Sequence, residues 1–408
     1  MPYHCFRYGT ALKQRIPNHV NSFSSANNAL TTLTSIPDEF TDIAPYPASE
    51  LIARIESLCE DPELLDAACA LRFKSHSGLF AAILRPFIRS RLKREVAQIT
   101  NRREWHRFLA GYIERVLTDT SDGFTCSGID AIPRDQPSLF VSNHRDIALD
   151  PVLVNYALWL HDMPTCKIAI GDNLMDMQAG AEFMRINDSF IVVRNAKGLK
   201  AQYAAMNKTS RYIRYVLDEG QSVWIAQREG RAKDGIDQTD PAVLKMFALA
   251  YREESKEFSY MLERINLIPT TFTYELDPCA PLKAQELAAI ERTGTYTKTE
   301  HEDRDSVVQG ITGFKGRIHV AFGEPVASSY QDADELARAI DEVMIENRRK
   351  YPIFEVAKDL LAGVAAQSLA GRLDEEFEAQ WQSMEDRERE LLLQQYANQA
   401  PQEGGLSE

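Results

Sequence analysis

Apolar residues fall first on helical spacing, then in short runs separated by helical stretches, then on helical spacing again. Leu51, Ile52, Ile55 and Leu58 share one helical face, and Asp61-Pro62 supplies an N-cap and a first-turn proline for a second helix through Phe73. In GLFAAILRPFIRSRLKREVAQI, Leu79, Phe80, Ile83 and Leu84, then Phe87, Ile88 and Leu92, alternate with arginines, and Pro86 is expected to break or kink the helix. Trp105 to Val116 continues the helical pattern. Further on, Leu139 to Val141, Lys167 to Leu174, Asp188 to Asn195, the run opening at Ser222, Asn266 to Tyr274 and Gly316 to Val326 are short apolar runs bounded by turn residues, the signature of strands. Helical spacing fills the gaps, notably Leu199 to Leu217 and from Asp240-Pro241 onward. This alternation predicts an α/β domain with a mixed, partly parallel sheet flanked by helices, behind an α-helical N-terminal region.

The boundaries read as a loosely ordered Asn/Ser/Thr-rich arm at 1–36, a helical basic region at 37–120, the α/β domain at 121–330, and C-terminal helices with an acidic tail at 331–408. Leu336, Ile340, Val343 and Met344 mark the inner face of a helix from Asp332 to Asn347. Beyond Arg372 the polar, acidic composition predicts a solvated helix and a frayed end.

Composition changes this picture in three places. The six cysteines (Cys5, Cys59, Cys69, Cys126, Cys166, Cys279) are scattered without metal-ligand or disulfide spacing, which argues for a reducing compartment. No apolar run has the roughly 18 residues a membrane-spanning helix needs, and the first residues lack the apolar core of a signal peptide. The net charge of −14 argues against nucleic acid as a partner. Yet between Leu71 and Arg107 ten basic residues face only Glu95 and Glu104. Cations beside Phe, Leu and Ile suit a helix lying in an anionic membrane interface, and a helix packed on its own domain with a solvated basic face fits equally. A membrane surface is therefore an expected partner, with the protein held peripherally on its cytoplasmic side. Nothing in the sequence sets the number of subunits.

The densest chemistry lies in SLFVSNHRDIALD, Ser138 to Asp150. A strand runs into Ser142 and Asn143, residues suited to turns and N-caps, and helical spacing resumes at Ile147, so His144 belongs on a strand-to-helix turn. A carboxylate from Asp150 or Asp146 near the imidazole would fix its tautomer and let it take a proton, although turn backbone alone can also satisfy such a histidine. His144-Arg145-Asp146 spells part of a kinase catalytic loop. A kinase needs Asn five residues after that Asp, where Pro151 stands, as well as a glycine-rich loop and D-F-G, which are missing.

Four pieces in order, His144-Arg145-Asp146-Ile147-Ala148-Leu149-Asp150, Phe190-Ile191-Val192-Val193-Arg194, Glu229-Gly230-Arg231 and Ile268-Pro269-Thr270, resemble the blocks of the glycerolipid acyltransferases that make lysophosphatidic and phosphatidic acid. A bacterial subgroup with an N-H-R-D-I-x-L-D first block is the nearest in pattern. The resemblance covers roughly Thr125 to Val326. It implies the glycerol-3-phosphate acyltransferase-like α/β fold, with His144 as general base, Asp150 as its orienter and Asp146 as the alternative. Arg194, Glu229, Gly230, Arg231 and Pro269 would bind substrate, with Lys233 and Lys245 as further phosphate contacts. It implies no metal or organic cofactor, because an acyl-CoA or acyl carrier protein thioester supplies the driving force. The expected acceptor is a lysophosphatidic-acid-like lipid; glycerol 3-phosphate, or a non-catalytic membrane-binding protein that retains the fold, are the other readings. Two features depart from the family pattern. Five residues rather than four separate His144 from Asp150, and Gln227-Arg228-Glu229-Gly230-Arg231 stands in place of F-P-E-G-T-R.

Overall fold

The computed structural model describes residues 36–65, 78–176, 178–299, 302–369, 371 and 374–401. The expected arm falls almost wholly outside these residues, as do the second predicted helix beyond Leu65 and the start of the basic block. The described part begins with α1 (Leu51–Leu58), α2 (Gly78–Val96) and α3 (Arg102–Thr120). Asp61 does cap the chain after α1, its Oδ1 accepting the N–H groups of Glu63 and Leu64 at 2.8 and 3.1 Å. Pro86 does not break α2, which is a single helix. Both Pro86 and Phe87 are exposed, while Ile88 is buried and packs with Leu65, Leu84 and Leu92.

The α/β region then alternates: β1 (Gly123–Ser127), β2 (Leu139–Ser142), α4 (Leu149–Leu160), β3 (Lys167–Gly171), α5 (Gln178–Ile186), β4 (Ser189–Val192), α6 (Leu199–Asp218), β5 (Val223–Ala226), α7 (Pro241–Leu249), α8 (Phe258–Leu262), β6 (Leu267–Tyr274), α9 (Ala280–Thr293), α10 (Glu302–Thr312) and β7 (Arg317–Phe322). The strands form one sheet of order β1-β7-β6-β2-β5-β3-β4. From β6 to β4 all neighbours are parallel; β7 runs antiparallel to β6 and carries β1 parallel to itself. The predicted mixed sheet is thus a five-stranded parallel block with a reversed pair at one edge. β1 was not among the predicted strands. Its residues GFTCS are half-exposed at the sheet edge, with no apolar run to betray them.

β2 is buried at every position because helices cover both faces. Leu139 and Val141 pack on one side with Tyr212, Val216, Leu244, Leu336 and Ile340, and Phe140 packs on the other with Leu153, Ala157, Ile268 and Phe272. Parallel strands bring the C-terminal ends of β6, β2, β5, β3 and β4 to one edge, the place where open α/β sheets put their ligand sites.

The C-terminal part holds α11 (Ala333–Asn347), α12 (Pro352–Leu361), α13 (Glu375–Trp381) and α14 (Asp386–Ala397). Its last stretch is not the solvated helix its composition suggests. Phe377, Leu392, Leu393 and Tyr396 are buried against Ala280, Ala284, Phe354 and Ala357 in a separate core. The Tyr396 hydroxyl accepts the Asp277 N–H at 2.9 Å and donates to Gln380 Oε1 at 2.8 Å, which satisfies its polar end inside that core.

Candidate active site

His144 follows the end of β2, and its Nδ1 lies 2.8 Å from Asp150 Oδ2. The carboxylate oxygen accepts, so Nδ1 carries the proton and Nε2 of the neutral ring keeps its lone pair. Asp150 is fully buried in the first turn of α4. Its Oδ2 also accepts the N–H groups of Arg145 and Asp146 at 2.6 and 2.9 Å, and its Oδ1 accepts the Tyr274 hydroxyl at 2.7 Å. Four donors around one carboxylate hold it rigidly as an acceptor. Burial first, and then the Asp150 charge, push the Tyr274 phenol well above its usual value, so it remains a donor. The His144 side chain keeps 16% of its surface exposed and meets the Trp224 ring edge-on at 6.0 Å.

Asp146 has different work. Its Oδ1 accepts the N–H groups of Ala148 and Leu149 at 2.9 and 2.8 Å, which caps the start of α4. Burial, helped by the neighbouring Asp150 charge, raises its carboxyl pKa. The extra residue between His144 and Asp150 is taken up in this capped turn. Asn143, expected to favour a turn or cap, instead continues the sheet through its side chain. Its Oδ1 accepts the Phe272 N–H at 2.7 Å, and its Nδ2 donates to the Phe272 carbonyl at 3.0 Å.

The loop after β5 brings Glu229, Gly230 and Arg231 to the same edge. The Ala232 N–H donates to the His144 carbonyl at 2.8 Å. Gly230 has φ +75°, a left-handed turn position that favours glycine. The loop is anchored from beneath by Asp237, whose Oδ2 accepts from Arg145 at 2.7 Å, Arg348 at 2.8 Å and Asn143 at 3.1 Å. α14 packs against it as well: Asn398 donates to the Asp234 carbonyl at 2.8 Å, and a Cβ on Gly235 would stand 2.0 Å from the Gln395 carbonyl oxygen. The tail therefore forms the floor of the loop.

Arg194 follows β4, and its guanidinium lies over Gly171 at the end of β3, where an added Cβ would meet Cζ at 3.0 Å. Its nearest acid is Glu229, at 3.8 Å. Glu229, expected to bind substrate, thus reaches Arg194. Arg231 points toward α10, 3.4 Å from Ser306 Oγ. Lys233 pairs with Glu286 of α9. Lys245 lies elsewhere, on the surface between α7 and α11, paired with Asp334 at 3.2 Å with both side chains 57% exposed. Pro269 is buried within β6 opposite Val141, its carbonyl accepting the Gly323 N–H. The structure therefore gathers His144, Asp150, Arg194, Glu229, Gly230 and Arg231 at one strand-end edge and sets Lys245 and Pro269 apart. Tyr274 and Ser306 were missed by sequence reading; each arrives from a distant segment and carries no local signal.

A histidine held by a buried carboxylate can take a proton from a hydroxyl, and guanidinium groups at the same sheet edge suit an anionic group such as a phosphate. Residues 123–250 match the acyltransferase family model. Dihydroxyacetone phosphate acyltransferases of Bos taurus and Homo sapiens are each 23% identical over 206 residues, which is 50% of this chain and 28% of theirs. The chain thus spans 28% of the length of the curated relatives it matches. The crystal structure of the 1-acyl-sn-glycerophosphate (LPA) acyltransferase PlsC from Thermotoga maritima aligns over 72% of this chain and 94% of that one, at 13% identity and a TM-score of 0.37. Residues 123–250 thus carry an acyltransferase domain, and the chain is similar to glycerolipid acyltransferases.

Proposed function

We propose that the protein transfers a fatty acyl group from acyl-CoA or acyl carrier protein to the hydroxyl of a lysophosphatidic-acid-like acceptor in phospholipid synthesis. The observation that carries this reading is the His144–Asp150 pair, with Nε2 left as an acceptor at the strand-end edge where Arg194 and Arg231 stand. Nε2 takes the acceptor's hydroxyl proton as the oxygen attacks the thioester carbonyl. The tetrahedral intermediate collapses with loss of the thiolate, which recovers the proton from the imidazolium, leaving an ester and a free thiol. Asp150 stabilises the imidazolium between those steps.

The name of the mammalian relatives favours a second acceptor, a water-soluble three-carbon phosphate such as dihydroxyacetone phosphate or glycerol 3-phosphate. Purified protein given a labelled acyl donor and each acceptor in turn decides between them; transfer to none would remove the enzymatic reading and leave a membrane-binding protein that retains the fold.

Arg194 and Arg231 are assigned to the acceptor phosphate. A charge-assisted pair contributes about 1.5–3 kcal/mol, so Arg194→Ala or Arg231→Ala is expected to raise the acceptor KM by roughly tenfold or more with little change in donor KM. An equal loss with a phosphate-free acceptor would instead mark a structural role.

A lipid acceptor requires attachment to a membrane surface, and α2 is one proposed contact. It carries Arg85, Arg89, Arg91, Lys93 and Arg94, with Phe87 exposed among them, although Arg89 and Lys93 both pair with Glu60 and Arg91 pairs with Glu95. Reversing Arg85, Arg89, Lys93 and Arg94 to Glu is expected to release the protein from anionic vesicles at low salt. Undiminished binding would reduce α2 to a packed helix with a solvated face.

A further inference from the structure

α6 is built differently from the other long helices of the α/β region. None of its residues 199–208 is buried, and its buried positions begin at Thr209 and continue with Ser210, Tyr212, Ile213, Val216 and Leu217. At about 1.5 Å per residue, roughly 15 Å of helix therefore runs along the surface before it joins the core. On that segment Leu199, Tyr203 and Met206 are 86%, 53% and 36% exposed. Their spacing of four and three residues places them in one stripe along a helix face. A stripe of large apolar side chains turned to water is costly unless something covers it.

The charge carried by the stripe's own segment is of one sign. From Val193 to Lys208 the chain has Arg194, Lys197, Lys200 and Lys208 and no acid, in a protein whose net charge is −14. Acids reach this segment from other elements at Glu229, beside Arg194, at Asp172, which accepts from the Asn195 N–H and side-chain amide, and at Asp42, which pairs with Lys208. Lys197 and Lys200 are exposed and flank Leu199. Because β4 ends at Val192, the start of α6 lies at the same edge of the parallel block as His144 and Arg194.

We propose that the first two turns of α6 dock on an anionic lipid surface, with Leu199, Tyr203 and Met206 entering the apolar boundary while Lys197 and Lys200 meet the headgroups. Exposed apolar side chains flanked by lysines match such an interface in both properties. The placement brings the catalytic edge to the bilayer, so that a lipid acceptor reaches Arg194 and His144 without leaving it. The proposal rests on the acyl-transfer reading for its purpose but not for its test.

The test uses the full chain and sedimentation with vesicles of equal parts phosphatidylcholine and phosphatidylglycerol, compared with phosphatidylcholine alone. Leu199→Glu with Tyr203→Glu, and separately Lys197→Glu with Lys200→Glu, are expected to lower partition onto the anionic vesicles by about tenfold or more, with unfolding temperature unchanged. Transfer to soluble glycerol 3-phosphate should stay at the wild-type rate, while transfer to a vesicle-embedded acceptor falls. Wild-type partition by both double variants overturns the proposal. So does a fall confined to transfer from acyl carrier protein, which would make the patch a site for that acidic donor, or a change in oligomeric state, which would make it a contact between copies. If the wild-type protein acylates no acceptor, the enzymatic reading falls and the sedimentation result still decides the surface.

Discussion

His144→Ala is expected to lower the acyl-transfer kcat by about a hundred- to ten-thousand-fold, the range a positioned general base supplies, and to leave the unfolding temperature nearly unchanged. Activity is expected to fall because Nε2 is the acceptor that the Asp150 contact leaves open at the strand-end edge. Stability should persist because the imidazole is only one of four donors on Asp150. With the ring removed, the buried carboxylate keeps the N–H groups of Arg145 and Asp146 and the Tyr274 hydroxyl, so no uncompensated charge is created. Initial rates at saturating donor, together with a thermal melt, check both halves. Unchanged turnover would remove His144 from the chemistry. A collapsed melt would show that the ring is needed to hold the turn.

The His144–Asp150 contact was legible in the sequence because it is local. Five residues separate His144 from Asp150, and an apolar strand followed by helical spacing places both on one turn. What the sequence could not do was choose between Asp146 and Asp150, since both fall near the start of the same helix. Only the direction of each carboxylate separates them, and that direction is set by which N–H groups it caps. Tyr274 was invisible for another reason. It sits at the end of β6 and meets Asp150 only because β6 pairs beside β2, with Thr270 opposite Ser142. The parallel character of the sheet was readable from alternating strands and helices, whereas the reversed β7–β1 edge was not, because β1 lacks an apolar run. The C-terminal helices misled through averaging. Their many acids hide Phe377, Leu392, Leu393 and Tyr396, which are enough to fasten α13 and α14 to the body and to support the Glu229–Asp237 loop.

Two carboxylates on one turn also permit a sharp comparison. Asp150→Asn should cost about 10⁴-fold in kcat, because an amide in that place can accept through one atom only. Turned with its oxygen toward the imidazole and the two backbone N–H groups, it presents its NH₂ group to the Tyr274 hydroxyl, which can rotate to accept; turned the other way, the NH₂ group meets three donors. In the first orientation the negative charge that stabilises the imidazolium is lost, and in the second the tautomer that leaves Nε2 as the base is no longer enforced. Tyr274→Phe removes one donor from Asp150 and leaves the His144 contact in place, so its loss should be far smaller. Asp146→Asn should be the mildest of the three, within about tenfold of wild type, since asparagine caps helices as well as aspartate does. Its amide oxygen can still accept from Ala148 and Leu149. Rates for the three variants, each checked by its melt, order the two acids. If Asp146→Asn is the most damaging, Asp146 and not Asp150 is the residue that orients the base.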